Sequence, residues 1–260
     1  MPFENPLKRL WKEGRTAANG WLAIPSVLSV EAMARAGFDS LTIDLQHGTA
    51  DYADMLAMLP IIQQTGAAPL VRVPWNDPAQ VMRALDAGAL GIICPMIEGP
   101  EDTARFVSYC RYPPAGMRSF GPIRAKLAWG EDYGDVANQQ ILPIAMIETR
   151  SAFDQLDQIL EVEGLGGLYI GPADLSAALG HEPGFDRREP ELMAAIEHIL
   201  VSARSRGVPA CIHCQSPDYA AEMGQKGFSL VTLASDARFL QSGAKAAVER
   251  FAALRDGQGV

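Results

Sequence analysis

Two carboxylates stand where short apolar runs stop. Glu148 follows Leu142–Ile147, in the order Met146-Ile147-Glu148-Thr149-Arg150, and Asp174 follows Gly167–Ile170, in the order Gly171-Pro172-Ala173-Asp174. Two converging carboxylates with few other ligands suit a hard divalent ion that keeps several waters. Two other readings fit the same residues: Glu148 paired with Arg72 or Arg150, and Asp174 capping the helix after it. Gly171-Pro172-Ala173-Asp174 reads as a strand-to-helix turn. The N–H groups of Gly171, Ala173 and Asp174 could hold a small anion there, or the segment is a turn and nothing more.

Arg72 ends the run Leu70-Val71-Arg72-Val73, and His47 follows Leu41–Leu45 beside small Gly48. Side chains alternate faces along a strand, so Leu70 shares a face with Arg72, and Ile144 and Met146 share one with Glu148. A charge buried against hydrocarbon is costly, which favours Arg72 and Glu148 facing an open end. His47 is a general-base candidate or a loop histidine bonded to backbone. Cys211-Ile212-His213-Cys214 has the C-x-x-C spacing, but no second Cys pair accompanies it. The segment reads as a strand, which puts its two thiols on opposite faces and argues against zinc. None of the five lysines, Lys8, Lys12, Lys126, Lys226 and Lys245, falls at a strand end, which argues against Schiff-base chemistry. Ser216-Pro217-Asp218 and Ala234-Ser235-Asp236 follow the last two apolar runs in place of a Gly-rich phosphate loop.

Such residues need elements to place them. Eight apolar runs have strand length: Trp21–Ile24, Leu41–Leu45, Pro69–Val73, Gly91–Cys94, Leu142–Ile147, Gly167–Ile170, Ala210–Cys214 and Leu230–Leu233. Helical patterns lie between them. Ser29–Ala36 ends at Gly37, and Pro78–Ala87 opens after Asp77 and ends at Gly88. The last segment sets Leu240, Ala244, Ala247, Val248, Phe251 and Leu254 on one face. Eight strands alternating with helices in 260 residues predict one α/β domain, a (β/α)8 TIM barrel, over residues 1–260. Its site belongs at the carboxyl ends of the strands. Two stretches, Arg111–Asp135 and His181–Pro190, break the rhythm and read as long loops, the first of functional length.

A net charge of −9 disfavours nucleic acid and anionic membrane partners. No apolar run approaches a membrane span, and residues 1–21 lack a signal-peptide core, so the expected location is the cytoplasm. Four cysteines are too few for a disulfide scaffold.

Together the motifs resemble the class II, metal-dependent pyruvate aldolases of the 4-hydroxy-2-oxoheptanedioate and 2-keto-3-deoxy-sugar-acid aldolase family, relatives of the citrate lyase and malyl-CoA lyase subunits. The resemblance runs from Gly20-Trp21-Leu22 to the last helix. It is carried by Ala36-Gly37-Phe38-Asp39, Ile43-Asp44 with His47, Val71-Arg72-Val73-Pro74, Asp86-Ala87-Gly88-Ala89, Arg111-Tyr112-Pro113-Pro114-Ala115-Gly116, Ile147-Glu148-Thr149 and Ile170 to Ser176.

The resemblance implies a reversible retro-aldol cleavage of 4-hydroxy-2-oxoacids to pyruvate and an aldehyde. It makes Glu148 and Asp174 ligands of Mg2+, Mn2+ or Co2+, and Gly171, Ala173 and Asp174 the carboxylate site. It sets Arg72 against the enolate oxygen and pairs His47 with Asp86 for proton transfer. Asp86 by itself reads as a helix-surface acid. Trp21 and Asp44 join the substrate-binding residues. A homohexamer is implied, with C-terminal helices in its contacts and some site residues from a neighbouring subunit. Relatives carry Gly-Glu-His at Leu45-Gln46-His47, and many carry Gln at Met146, departures that bear on acceptor binding or metal hydration. Two alternatives are a CoA-ester lyase, for which Arg118, Arg124 and Lys126 are the available bases, and a non-catalytic barrel that binds a small acid.

Overall fold

The structure, a computed structural model, describes residues 3–256. Eight strands pair in chain order, all parallel: β1 (Ala17–Leu22), β2 (Ser40–Asp44), β3 (Ala68–Arg72), β4 (Gly91–Cys94), β5 (Leu142–Ile147), β6 (Gly167–Ile170), β7 (Ala210–His213) and β8 (Leu230–Ser235). β8 closes on β1, and helices connect the strands, so the fold is the expected (β/α)8 barrel. Among the described residues no helix is long and apolar enough to cross a membrane.

Alternation along the strands builds two cores. Val71, Ile92, Ala145 and Ile147 face outward and pack under the helices. Leu70, Ile93, Ile144 and Met146 face inward and fill the barrel. Cys211 belongs to the inner core and Cys214 to the outer, so the two thiols do face opposite ways. All four cysteines are free and buried.

The barrel interior also holds a polar chain. The Asn19 amide donates to Thr232 Oγ1 at 2.9 Å. Ser40 and Thr42 hydroxyls donate to Asn19 Oδ1 at 2.9 and 3.1 Å. Thr232 meets the Tyr169 hydroxyl at 2.6 Å, and Tyr169 meets His213 Nδ1 at 3.1 Å. This chain explains why β1 begins at Ala17 and not at Trp21. Its inward positions are Ala17, Asn19 and Trp21, so the strand is not an apolar run. It ends at Leu22 and not Ile24, because the Asp236 carboxylate takes the next two N–H groups, of Ala23 and Ile24.

Elsewhere the elements shift little. The first connecting helix is Val27–Ala34, two residues earlier than its apolar pattern, because Ser26 caps it. Asp77 caps the helix Pro78–Asp86 by accepting from the Gln80 N–H. The stretch Arg111–Asp135 is not one loop: it contains the helix Ile123–Trp129 and the start of Tyr133–Gln140. Pro113, Pro114, Gly116, Gly121 and Pro122 crowd its first half, and the helix that follows carries neither residue type until Gly130 ends it. His181–Pro190 is irregular as expected up to the helix that opens at Pro190. The last helix, Asp236–Arg255, leaves Leu240, Val248, Phe251 and Leu254 exposed.

Asn19→Ala removes the acceptor for two buried hydroxyls and the donor to a third. Each buried polar group left unpaired costs about 1–3 kcal/mol, so urea unfolding is expected to show a loss of at least about 2 kcal/mol. A loss under about 0.5 kcal/mol, typical of a surface substitution, would show that the chain is not paired this way.

Candidate active site

At the carboxyl end of β2 and β3, Asp44 and Arg72 are register partners. Arg72 Nε donates to Asp44 Oδ1 at 2.8 Å, and Nη2 donates to Oδ2 at 2.6 Å. This is the two-pronged geometry that a guanidinium and a carboxylate share. Asp44 also accepts from Trp21 Nε1 at 3.1 Å and from the backbone N–H of Gln46 and His47 at 3.0 and 3.3 Å. Burial alone would push the Asp44 carboxyl up. The Arg72 hydrogen bonds and charge, with Trp21 and Gln46, outweigh it and hold the carboxyl below its ordinary value. Gly48 is required here: a Cβ on it would lie 2.2 Å from the Asp44 carbonyl oxygen.

The arrangement gives each expected residue a place. Both Asp44 oxygens are spent on its neighbours, so Asp44 positions Arg72, Trp21 and the turn into His47. Arg72 Nη1 has no protein partner among the described residues. The Arg72 guanidinium carbon lies 4.9 Å from the Trp21 ring centroid. His47 is exposed, and its ring makes no hydrogen bond among the described residues.

Glu148 shows the opposite balance. It is 2% exposed and faces the barrel mouth. Its Oε1 accepts from the Met96 N–H at 2.8 Å, while Oε2 is buried with no partner among the described residues. Burial first, and then the charge of Asp174, push its carboxyl up to about 7 against the Met96 hydrogen bond. Neither ion pair considered for Glu148 forms: Arg72 is on Asp44, and Arg150 is on Asp154 at 3.0 Å. Asp174 does not cap its helix. Gly171 occupies the cap position of Pro172–Ala178, with no side-chain cap. A Cβ on Gly171 would fall 2.2 Å from Glu148 Oε2 and 2.9 Å from Met146 Cε, so only glycine leaves the carboxylate room. A buried, unpartnered carboxylate oxygen with a second carboxylate beside it is the donor set a divalent cation fits.

Asp86 lies elsewhere. The helix Pro78–Asp86 starts at the mouth and runs back, so its last residue sits at the other end of the barrel from His47. There Asp86 accepts from Arg118 Nη2 at 2.6 Å. Burial pushes the Asp86 carboxyl up, against the hydrogen bond and charge of Arg118. His47 and Asp86 therefore do not pair within one chain. Arg124 is spent on Gln63 and the Ala87 carbonyl, and Lys126 on Glu131.

Two further residues support the site, the first through its backbone alone. Met96 offers only its N–H, from a left-handed backbone with φ of 54°. Thr149 ties β5 to the preceding loop by donating to the Ile97 carbonyl at 2.9 Å. A basin of about 910 Å3, lined by Lys8, Arg15 and Arg111 among others, lies at the amino ends of the strands and contains none of these residues.

An orphaned carboxylate, a second acid and a held guanidinium thus lie at the carboxyl ends of a parallel barrel, where barrel enzymes keep their active sites. The model of the family described as HpcH/HpaI aldolase/citrate lyase matches residues 20–242. The chain is 40% identical over 250 residues to the hydroxypyruvate/pyruvate aldolase of Rhizorhabdus wittichii, covering 96% of this chain and 100% of that one. It is 37% identical over 254 residues to a 4-hydroxy-2-oxo-heptane-1,7-dioate aldolase of Escherichia coli, covering 96% of each. A crystal structure of a HpcH/HpaI aldolase/citrate lyase family protein from Burkholderia cenocepacia superposes with a TM-score of 0.87 at 32% identity, covering 94% of this chain and 98% of that one. The chain belongs to the HpcH/HpaI aldolase/citrate lyase family, and it is a lyase of the aldolase type.

Asp44→Asn leaves the Arg72 charge buried without its partner, and a loss of about 3–5 kcal/mol is expected in urea unfolding. Because the folded carboxyl is held below its unfolded value, its stabilisation is complete above about pH 4 and is lost as pH falls through the folded pKa. Unfolding measured between pH 6 and 2.5 should therefore fall less steeply in Asp44→Asn than in the wild type.

Proposed function

We propose that this protein catalyses the reversible cleavage of 4-hydroxy-2-oxoacids to pyruvate and an aldehyde, with a divalent cation held by Glu148 and Asp174. The observation that carries this reading is the buried Glu148 Oε2, unpartnered and pushed toward protonation by burial and by Asp174. Mg2+, Mn2+ or Co2+ suits two carboxylates of this kind. When bound, the cation supplies Lewis-acid charge where negative charge develops on the substrate.

The chain's own residues do the rest. The N–H groups of Gly171, Ala173 and Asp174 receive the pyruvate carboxylate. Arg72 Nη1 meets the C2 oxygen and is worth most when that oxygen becomes an enolate. His47 takes the proton from the C4 hydroxyl. The C3–C4 bond breaks, its electron pair moves into the C2–C3 bond, and the aldehyde leaves. The enolate then takes a proton at C3 to give pyruvate. Trp21 stacks beside Arg72 and walls the pocket.

His47 needs Asp86 from another copy of the chain, since its own Asp86 is at the far end of the barrel. That fits a homo-oligomer, read as a hexamer from the resemblance, with the exposed apolar face of the last helix in its contacts. A cytoplasmic location suits four free thiols. A CoA-ester lyase is disfavoured because Arg118, Arg124 and Lys126 are spent within the chain.

EDTA is expected to abolish pyruvate release and Mn2+, Co2+ or Mg2+ to restore it; full activity in chelator would sink the metal reading. Arg72→Lys keeps the charge but loses the fork, and kcat should fall about 100-fold with the fold intact. In the metal-free protein Glu148 ionises near 4.5 when unfolded and about 7 when folded. The folded form holds a proton that the unfolded form has lost, so this group's contribution falls as pH rises across that window. Glu148→Gln should accordingly raise the melting temperature of the metal-free protein at pH 8 and remove its rise with added Mn2+.

A further inference from the structure

His213 stands at the carboxyl end of β7, facing inward, and the mechanism above does not use it. Its ring packs edge-on to Trp21 with centroids 4.8 Å apart, and Phe185, from the irregular stretch after β6, lies 5.2 Å away. Arg72 packs on the same Trp21 ring. His213 therefore borders the space that Arg72 overlooks.

With the Asn19 amide oriented as it stands, hydrogen counting gives one tautomer. Asn19 Oδ1 accepts from Ser40 and Thr42, so the amide group of Asn19 must donate to Thr232 Oγ1. The one hydroxyl proton of Thr232 then has the Tyr169 oxygen, 2.6 Å away, as its acceptor. Tyr169 in turn gives its proton to His213 Nδ1 at 3.1 Å. With Nδ1 accepting, the ring proton is on Nε2. That nitrogen has no protein partner among the described residues, yet it is not a buried orphan. Burial first, and then the Arg72 charge, push the imidazole down to about 3, with Asp44 opposing, so the ring is uncharged at working pH.

We propose that His213 Nε2–H is a fixed, neutral hydrogen-bond donor that selects the aldehyde partner, favouring an aldehyde with a hydroxyl or second carbonyl oxygen over an alkyl aldehyde. A neutral donor suits an uncharged oxygen better than a carboxylate, and a site built to bond a hydroxyl rejects the analogue that lacks it. The inference rests on the aldolase reading and adds the acceptor class to it.

The test compares kcat/KM for glycolaldehyde and acetaldehyde, which differ by one hydroxyl, in condensation with pyruvate. The wild type should prefer glycolaldehyde, and His213→Leu should lose about tenfold of that preference with acetaldehyde unchanged. Tyr169→Phe, which frees Nδ1, should fall between. An unchanged ratio in His213→Leu, in protein that still exchanges the pyruvate methyl protons in deuterium oxide at the wild-type rate, overturns the role of His213 alone. No metal-dependent exchange by the wild type overturns the aldolase reading and this inference with it. Nitrogen-15 NMR of the wild-type imidazoles reads the tautomer without any turnover: Nδ1–H or a doubly protonated His213 at pH 7 overturns the proposal, and Nε2–H supports it.

Discussion

Burying an ion pair costs several kcal/mol in lost hydration, and only good geometry with further hydrogen bonds repays it. Asp44 and Arg72 meet that condition. They are register partners on adjacent strands, joined by two parallel hydrogen bonds, and Trp21 and two backbone N–H groups fill the remaining lone pairs of the carboxylate. The pair fixes more than itself. It orients the Trp21 ring, turns the chain after β2 so that His47 leaves toward solvent, and aims the free edge of the guanidinium into the mouth.

Against that satisfied carboxylate stands an unsatisfied one. Asp44 is held below its ordinary pKa by its partners, and Glu148 is pushed above it by burial and a neighbouring acid. Two carboxylates in one mouth thus have opposite tasks set by their surroundings alone. Gly171 and the left-handed Met96 are the backbone's share of this arrangement: one makes room for the Glu148 carboxylate and the other anchors one of its oxygens. Such strained or tight positions are where a fold gives up stability for function.

The strands were readable because outward-facing positions must be apolar under helices, and inward ones are mostly so. β1 was misplaced where that rule fails, at Asn19, whose polarity is matched by a network no local pattern reveals. Arg72 and Glu148 were legible from alternation, since only one face of each strand could take a charge. Asp86 looked like a surface acid because its burial depends on Arg118, thirty-two positions away. Met96 was invisible because every residue offers an N–H. His213 sits inside a C-x-x-C whose strand parity argues against zinc, and the same parity puts the histidine, and not Cys214, inside the barrel. The helix Ile123–Trp129 was hidden by the prolines and glycines that precede it.

The four cysteines have a consequence of their own. All are buried, and burial pushes the Cys110 thiol up to about 12 and raises those of Cys94, Cys211 and Cys214 as well. The thiolate is the reactive form, so burial and the raised thiols disfavour alkylation while the chain stays folded. The cysteines also divide between the two cores, Cys211 within the barrel and the others between strands and helices. A slow alkylator would therefore act as a clock on the molecule's own breathing, reporting separately when a helix lifts from the sheet and when the sheet itself parts.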